Sequence, residues 1–461
     1  MVQYLVFLWK AARASQPTPP VWCGGLLLLL LLPLLAPAQP TTPAAGPYTL
    51  EQCVREALQN QPLVRQAQLD EQTNEADIRI GLSDWLPQVG LDATAQHFFE
   101  LPFVVLPTPE GGLAPRRVGL RNTSTFTLGG TQVLYNNDVW LSLRRARPAR
   151  QLFRQTTAVV KTNLAADVSK AFYDVLLSER QLSVLLTDLG RLQRSLQDAR
   201  ARYEAGVSDK IDYKQAEILL NNTLAARKQA QESIKAKSAY LRELMGLPGT
   251  APLALQYDTL RLEQDAAADT LTALDPTARL EVQRLQTEKQ LQATQISYFR
   301  WGFLPALSAF GNYNTVYQNN NLRDLYSRRF PNSVAGVQLS LPLFQGTRRL
   351  QNLRRARLVD ERLDQEVVAV RNQINTEFEQ ALASYKGNYA DFQLGRRNVA
   401  LAREVYQVVD LQYREGIKPY LDVLVAQSTL RSAELNYYVA LFQVLSSKVD
   451  LQRARGALNV E

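Results

Sequence analysis

Two kinds of periodicity alternate along this chain, and each occurs twice. Val89, Leu91, Ala93 and Ala95 alternate with Gln88, Gly90, Asp92, Thr94 and Gln96, the period-two signature of a strand with one apolar and one polar face. A partner strand is predicted from Thr125 to Tyr135, with Phe126, Leu128 and Leu134 on one face and Thr125, Thr127 and Thr131 on the other. A loop from about Phe98 to Arg121 is expected between them. Further on, Val337, Leu339, Leu341 and Leu343 alternate with Gly336, Gln338, Ser340 and Pro342. Their partner is expected at about Leu304 to Thr315, where Phe310 interrupts the polar face.

The other periodicity is helical. Residues 138–204 hold a single proline, Pro148, and carry Leu182, Leu189 and Leu196 seven apart, with Leu185 and Leu192 between them. Residues 347–413 repeat the theme with Phe378, Tyr385 and Phe392, paired with Val367, Ile374 and Ala381. At 1.5 Å per residue each helix is expected to run about 100 Å, far more than a globular domain needs. Shorter helices are predicted from Thr49, as N-cap, to Ile80, from 277 to 298, from 209 to 245 and from 420 to 455. In the first half the two short helices together match the long one, so they are expected to stack end to end beside it.

The halves are an internal duplication. Tyr203 and Gly206 stand 210 residues before Tyr413 and Gly416, and LRRAR recurs at the same offset, at Leu143–Arg147 and Leu353–Arg357. The expected layout is a first repeat over 49–246 (helix, β-hairpin 86–135, long helix 138–204, helix 209–245) and a helix-poor connector over 247–276. A second repeat follows over 277–455 (helix, β-hairpin 304–344, long helix 347–413, helix 420–455), then a short tail over 456–461.

Composition changes the picture mainly at the N-terminus. Lys10 and Arg13 precede the apolar run LLLLLLLPLL at 26–35, and Ala36-Pro37-Ala38 follows. This reads as a secretory signal peptide over 1–38, with a Pro-rich segment at 39–48. Its removal takes two basic and no acidic residues, lowering the formal net charge from +8 to +6. Cys53 is then the lone cysteine, so no intrachain disulfide is expected. No later stretch reaches 18 apolar residues, so any membrane entry is expected through β-strands.

Four strands with one apolar face cannot close a barrel within one chain, because their edges stay open. Membrane barrels need at least eight strands, so closure requires eight from a dimer or twelve from a trimer. Gln88, Asp92, Thr94, Gln338 and Ser340 would then line a water-filled lumen. Trp85, Trp140 and Trp301 sit at the helix-side ends of strands, where an aromatic girdle belongs. The alternative at this point is a soluble β-domain half buried on helices.

Catalytic chemistry finds no inventory. His97 is the one histidine, Cys53 has no partner for a metal cluster, and Gly111-Gly112 lies outside any strand–turn–helix context. No catalytic, cofactor or metal residue is assigned. Arg144, Arg145, Arg147 and Arg150, echoed by Arg348, Arg349, Arg354, Arg355 and Arg357, gather at the strand-to-helix junctions. In an exported protein these suit anionic lipid headgroups or plain solvation better than nucleic acid.

The duplicated helix–hairpin–helix order, the Leu-Pro openings at Leu86-Pro87 and Leu304-Pro305, the strand ends at Leu134–Asn137 and Leu343–Gly346, and the two Y-x-x-G turns carry a resemblance. Over almost all of 49–455 the chain resembles the TolC-like outer-membrane efflux factors. The resemblance implies a mixed α/β membrane protein: a homotrimer with a twelve-stranded outer-membrane barrel, continued by a long periplasmic α-helical coiled-coil tunnel. It also implies a non-enzymatic channel for efflux or type I secretion, partnered by a periplasmic adaptor and an inner-membrane transporter. Tyr203, Gly206, Tyr413, Gly416 and Pro419 then mark adaptor-facing turns. Lys418 and Asp422 match a basic residue and the first of two aspartates at the gate of some relatives, with Arg414 nearby, while Val425 replaces the second aspartate. A periplasmic adaptor, or a structural coiled coil without a pore, is the competing reading; four amphipathic strands in two hairpins speak against both.

Overall fold

The computed structural model describes residues 47–107, 112–256, 259–270 and 273–458. The expected signal peptide, most of the Pro-rich segment, Gly111 and the end of the tail lie outside the described residues. The first helix opens with a reciprocal cap: Thr49 Oγ1 accepts from the Gln52 N–H at 3.3 Å, and Gln52 Oε1 accepts from the Thr49 N–H at 2.9 Å. The single helix expected over Thr49–Ile80 is in fact two, α1 (Leu50–Asn60) and α2 (Pro62–Ser83). Pro62 is the cause. Its ring bars the residue before it from the α region, so Gln61 is extended at ψ 122°, and proline itself opens the second helix without losing a donor.

The strands are β1 (Gln88–His97), β2 (Phe103–Pro107), β3 (Leu113–Arg117) and β4 (Asn122–Tyr135) in the first repeat. In the second they are β5 (Ala306–Asn319) and β6 (Arg329–Ser340). The segment expected to be a plain loop over 98–121 instead projects the small β2–β3 hairpin. A two-stranded ribbon has only edges, so Pro107 and Pro115 cost it little. The second hairpin also differs from expectation. It starts two residues later and ends at Ser340, because Pro342 offers no donor to extend the ladder; Leu341 and Leu343 lie beyond it.

The two hairpins join into one antiparallel sheet of order β1-β4-β5-β6. The central β4–β5 ladder runs from Asn122↔Asn319 to Tyr135↔Leu307, with a bulge near Val133. Phe310, the aromatic on the polar face, lies over its cross-strand neighbour Gly336; a Cβ there would meet its ring at 3.0 Å.

The helices below the sheet are α3 (Asn137–Glu204), α4 (Lys210–Leu244), α5 (Thr259–Asp265), α6 (Leu280–Arg300), α7 (Arg348–Arg414) and α8 (Tyr420–Arg455). The connector expected to be helix-poor thus contains α5. In α3, Leu185, Leu189 and Leu192 are buried, and in α7 Ile374, Phe378, Tyr385 and Phe392 are, so the heptad stripes are packing faces. α2 and α4 lie along α3, and α6 and α8 along α7.

The short helices meet end to end. Gly246, at φ 66°, closes α4 directly against the start of α2, and a Cβ there would stand 2.6 Å from the Asn60 carbonyl oxygen. Gln61 Nε2 donates to the Glu243 carbonyl across this joint at 3.2 Å. The second repeat has its joint at Gly456, where buried Arg279 donates to the Ala454 carbonyl at 2.7 Å and pairs with Glu281 at 2.8 Å. The main core surrounds this level, joining Cys53, Val64, Leu176, Leu241, Leu441 and Leu445. Burial pushes the Cys53 thiol up to about 12, which leaves it inert.

Candidate functional site

Three places in the molecule concentrate features beyond packing. The first is the sheet. Its register puts Gln88, Asp92, Thr94, Gln338 and Ser340 on one face, together with Thr127, Asn312 and Asn314. Leu91, Leu128, Tyr313, Leu307 and Leu339 occupy the other. Val89, Leu91, Val337 and Leu339 are 72, 68, 65 and 63% exposed, so within one chain nothing covers the apolar face. Strands β1 and β6 each leave an unpaired edge. Trp85, Trp140 and Trp301 stand at the helix-side end of this sheet, all partly exposed.

The second place is the far end of the helices, where both repeats reverse direction by the same device. Gly206 and Gly416 sit at φ 75° and 76°. Gly206 donates to the Tyr203 carbonyl and Val207 to the Arg202 carbonyl, both at 2.9 Å; Gly416 and Ile417 do the same to Tyr413 and Gln412 at 3.0 and 2.8 Å. These paired bonds satisfy the last carbonyls of each long helix and need a residue free to enter the left-handed region. The restarts differ. Asp209 caps α4 by accepting from the Ile211 N–H at 2.9 Å. Pro419 is the N-cap of α8 at ψ 155°, with no side-chain acceptor.

The two tips pack against each other. Tyr420 is buried and bonded to Ser195 through its hydroxyl at 2.8 Å, and burial pushes its phenol up to about 12. Arg202 lies 4.6 Å from the ring centroid of Tyr413, which in turn contacts Tyr420. Of the gate candidates, Lys418 and Asp422 come together, Nζ to Oδ2 at 3.1 Å. Arg414 does not join them; it turns back along its own helix to Asp410 at 2.7 Å. Asp422 and Val425 line a groove of about 830 Å³ between α7 and α8. Asp212, the mirror of Asp422, has its carboxyl raised above the usual range by burial and then by Asp209.

The third place was not anticipated. Asp188 on α3 is fully buried and accepts from Gln427 Nε2 at 3.0 Å. Arg431 on α8 reaches it at 3.5 Å and also donates to Thr223 of α4 at 2.8 Å. Arg191 lies 3.6 Å from Asp188 and 3.8 Å from Glu434, which Arg403 of α7 meets at 3.0 Å. One charged network therefore links all four lower helices. The signal for it was an acid placed between Leu185 and Leu192 on the buried heptad face.

Among the described residues, no group of His, Cys, Asp or Glu is arranged to hold a metal ion, and no helix is long and apolar enough to cross a membrane. Outer membrane protein TolC of Vibrio cholerae is 24% identical over 353 residues, 75% of this chain and 79% of that protein. A solved structure of CusC, described through folding and transmembrane channel formation, superposes with a TM-score of 0.69 at 17% identity, covering 88% of this chain and 91% of that one. The outer membrane channel MtrE of Neisseria gonorrhoeae, in an open state, gives 0.68 at 18% identity, covering 89% and 90%. With residues 53–247 and 277–457 both matching the family described as outer membrane efflux protein, the chain belongs to that family.

Proposed function

We propose that three copies of this chain close a twelve-stranded barrel in the outer membrane and continue below it as a helical tunnel into the periplasm. Through it substrates pass to the cell exterior in a tripartite efflux or type I secretion system. The observation that carries this is the uncovered single-layer sheet with two open edges, set on helices about 100 Å long. Neighbouring subunits pair the edges, lipid covers the Val/Leu face, and the Gln/Thr/Asn/Ser face lines water. Trp85, Trp140 and Trp301 form the girdle at the periplasmic boundary. The Tyr203–Gly206 and Tyr413–Pro419 turns meet a periplasmic adaptor, which hands on cargo from an inner-membrane transporter. The protein is a conduit and not an enzyme. Mass measurement of the detergent-solubilised particle is expected to give three mature chains. A monodisperse monomer, soluble without detergent, would sink the reading.

The gate belongs to the same proposal. Asp422 stands in the first turn of α8, where a carboxylate is favoured by the positive end of the helix. Three such carboxylates around a closed axis repel at short range unless cations or bases accompany them; Lys418 at 3.1 Å is that base. Because Val425 holds the next inward position, one acidic ring and not two is available. Asp422→Ala is expected to weaken divalent-cation blockage of single-channel current in planar bilayers while leaving assembly intact. Asp212→Ala, on the first-repeat tip, is expected to change blockage less. Equal loss in both variants, or none in the first, would remove Asp422 from the constriction.

A further inference from the structure

We infer that the cleft at the foot of the sheet binds the phosphate headgroup of an anionic phospholipid from the periplasmic leaflet. The cleft, about 320 Å³, opens between the first turns of α3 and the last turn of α6 and is walled by Trp140 and Trp301, with Tyr135, Arg144 and Leu304 in its lining. Tyr135 is paired with Leu307, so the cleft is continuous with the apolar face of the sheet. The inference rests on the reading of that sheet as membrane-spanning.

Arg144 lines the cleft, and Arg300 and Arg349 flank it on rings at or beside its wall. Arg144 lies 5.5 Å from the Trp140 ring centroid, Arg300 5.8 Å from Trp301, and Arg349 5.6 Å from Phe303. Phe303 itself lies 5.9 Å from Trp301, making the three a single cluster. The rings are 40 to 44% exposed, unlike the buried aromatics of the core. A guanidinium held near a ring keeps N–H groups that suit two oxygens of a phosphate.

Among the described residues, no carboxylate pairs with these guanidiniums. Arg144 donates to Ser297 Oγ at 3.3 Å, and Arg300 and Arg349 make ring contacts, with no acidic partner among the described residues. Asp138, in the first turn of α3, accepts instead from the Tyr298 hydroxyl at 2.6 Å. The surroundings are one-signed: residues 139–166 hold six basic and no acidic side chains, and residues 348–359 hold five and none. Of these, Arg150 is matched, by Glu75 at 2.6 Å. A cleft with two indole walls, one guanidinium in its lining and two beside it fits an amphiphile, with phosphate on the arginines and the first acyl carbons against the rings. Free phosphate would leave the rings bare.

The test uses the purified, detergent-solubilised assembly incubated with equimolar phosphatidylglycerol and phosphatidylcholine, with bound lipid read by native mass spectrometry. Wild-type protein is expected to retain phosphatidylglycerol roughly tenfold over phosphatidylcholine. A variant combining Arg144→Gln, Arg300→Gln and Arg349→Gln is expected to lose the preference at unchanged assembly mass. Millimolar inorganic phosphate is expected not to displace the lipid; displacement would mark a free-anion site and overturn the proposal. Loss of assembled mass in the variant would assign the arginines to a subunit interface, and overturn it too. Conductance in vesicles of the same two lipids separates the premises. If both proteins insert and conduct but show equal preference, the lipid site alone falls; if the wild type never inserts, the membrane reading falls with it.

Discussion

Asp188→Ala is expected to cost about 3–5 kcal/mol of folding stability, because it removes one member of a buried charge network and strands the others. Gln427 is as buried as Asp188 and donates its amide to that carboxylate. Arg431 would keep only its bonds to Thr223 and Ser428, and Arg191 would keep Glu434. An unpaired buried cation is what makes such losses large; a buried pair replaced as a whole by apolar groups is often neutral. Asp188→Ala combined with Arg431→Met is therefore expected to recover much of the loss, a coupling that a double-mutant cycle measures. Guanidinium unfolding followed by circular dichroism gives both values. A single-variant loss within about 0.5 kcal/mol, the range of ordinary surface substitutions, would show that the network is solvated and not a clamp.

Leu339→Arg is expected to impair membrane assembly by roughly 2–4 kcal/mol, the cost of a basic side chain facing lipid near the bilayer midplane. Leu339 pairs with Leu307, and the next residue along, Gln338, pairs with Ser308 on the opposite face. Gln338→Arg is expected to assemble normally. The pair differs by one position in a strand, so β-propensity and folding burden nearly cancel and only the face differs. Heat-modifiable mobility of outer-membrane fractions reads the assembled yield. Equal yields would show that inside and outside are exchanged. Leu341, which alternation alone places on the same face, is a poorer probe because it lies past the last rung, Ala306↔Ser340.

Periodicity made the long elements legible. Heptads in 138–204 and 347–413 and alternation at 88–96 depend on side chains that repeat, and the duplication supplied a second sample of each. Breaks were harder to read where the cause was local. Pro62 splits a helix whose apolar stripe continues on both sides, so the stripe hid the joint. The β2–β3 ribbon carries two prolines and a short apolar run, a pattern that loops share. At the tips, Gly206 and Gly416 announced themselves through spacing, but Arg414 did not. A basic residue on the far side of the chain reversal from Asp422 can face either way, and Asp410, one turn back on its own helix, is the acid it meets. The Asp188 network depends on which helices touch, and only packing decides that.

The ladder between β4 and β5 also sets a timetable. Asn122 donates to the Asn319 carbonyl across 197 residues of chain, so the seam between the two hairpins waits for the strands of the second repeat to emerge. The α3–α4 and α7–α8 hairpins have no such delay, since each closes over a turn of a few residues. Contacts near in sequence form early and distant ones late. Until β5 arrives, β1 and β4 therefore stand as an apolar ribbon with an open edge. Such ribbons aggregate. The chain accordingly needs escort across the periplasm until its second repeat arrives, and the late seam ties membrane insertion to the arrival of β5 and β6.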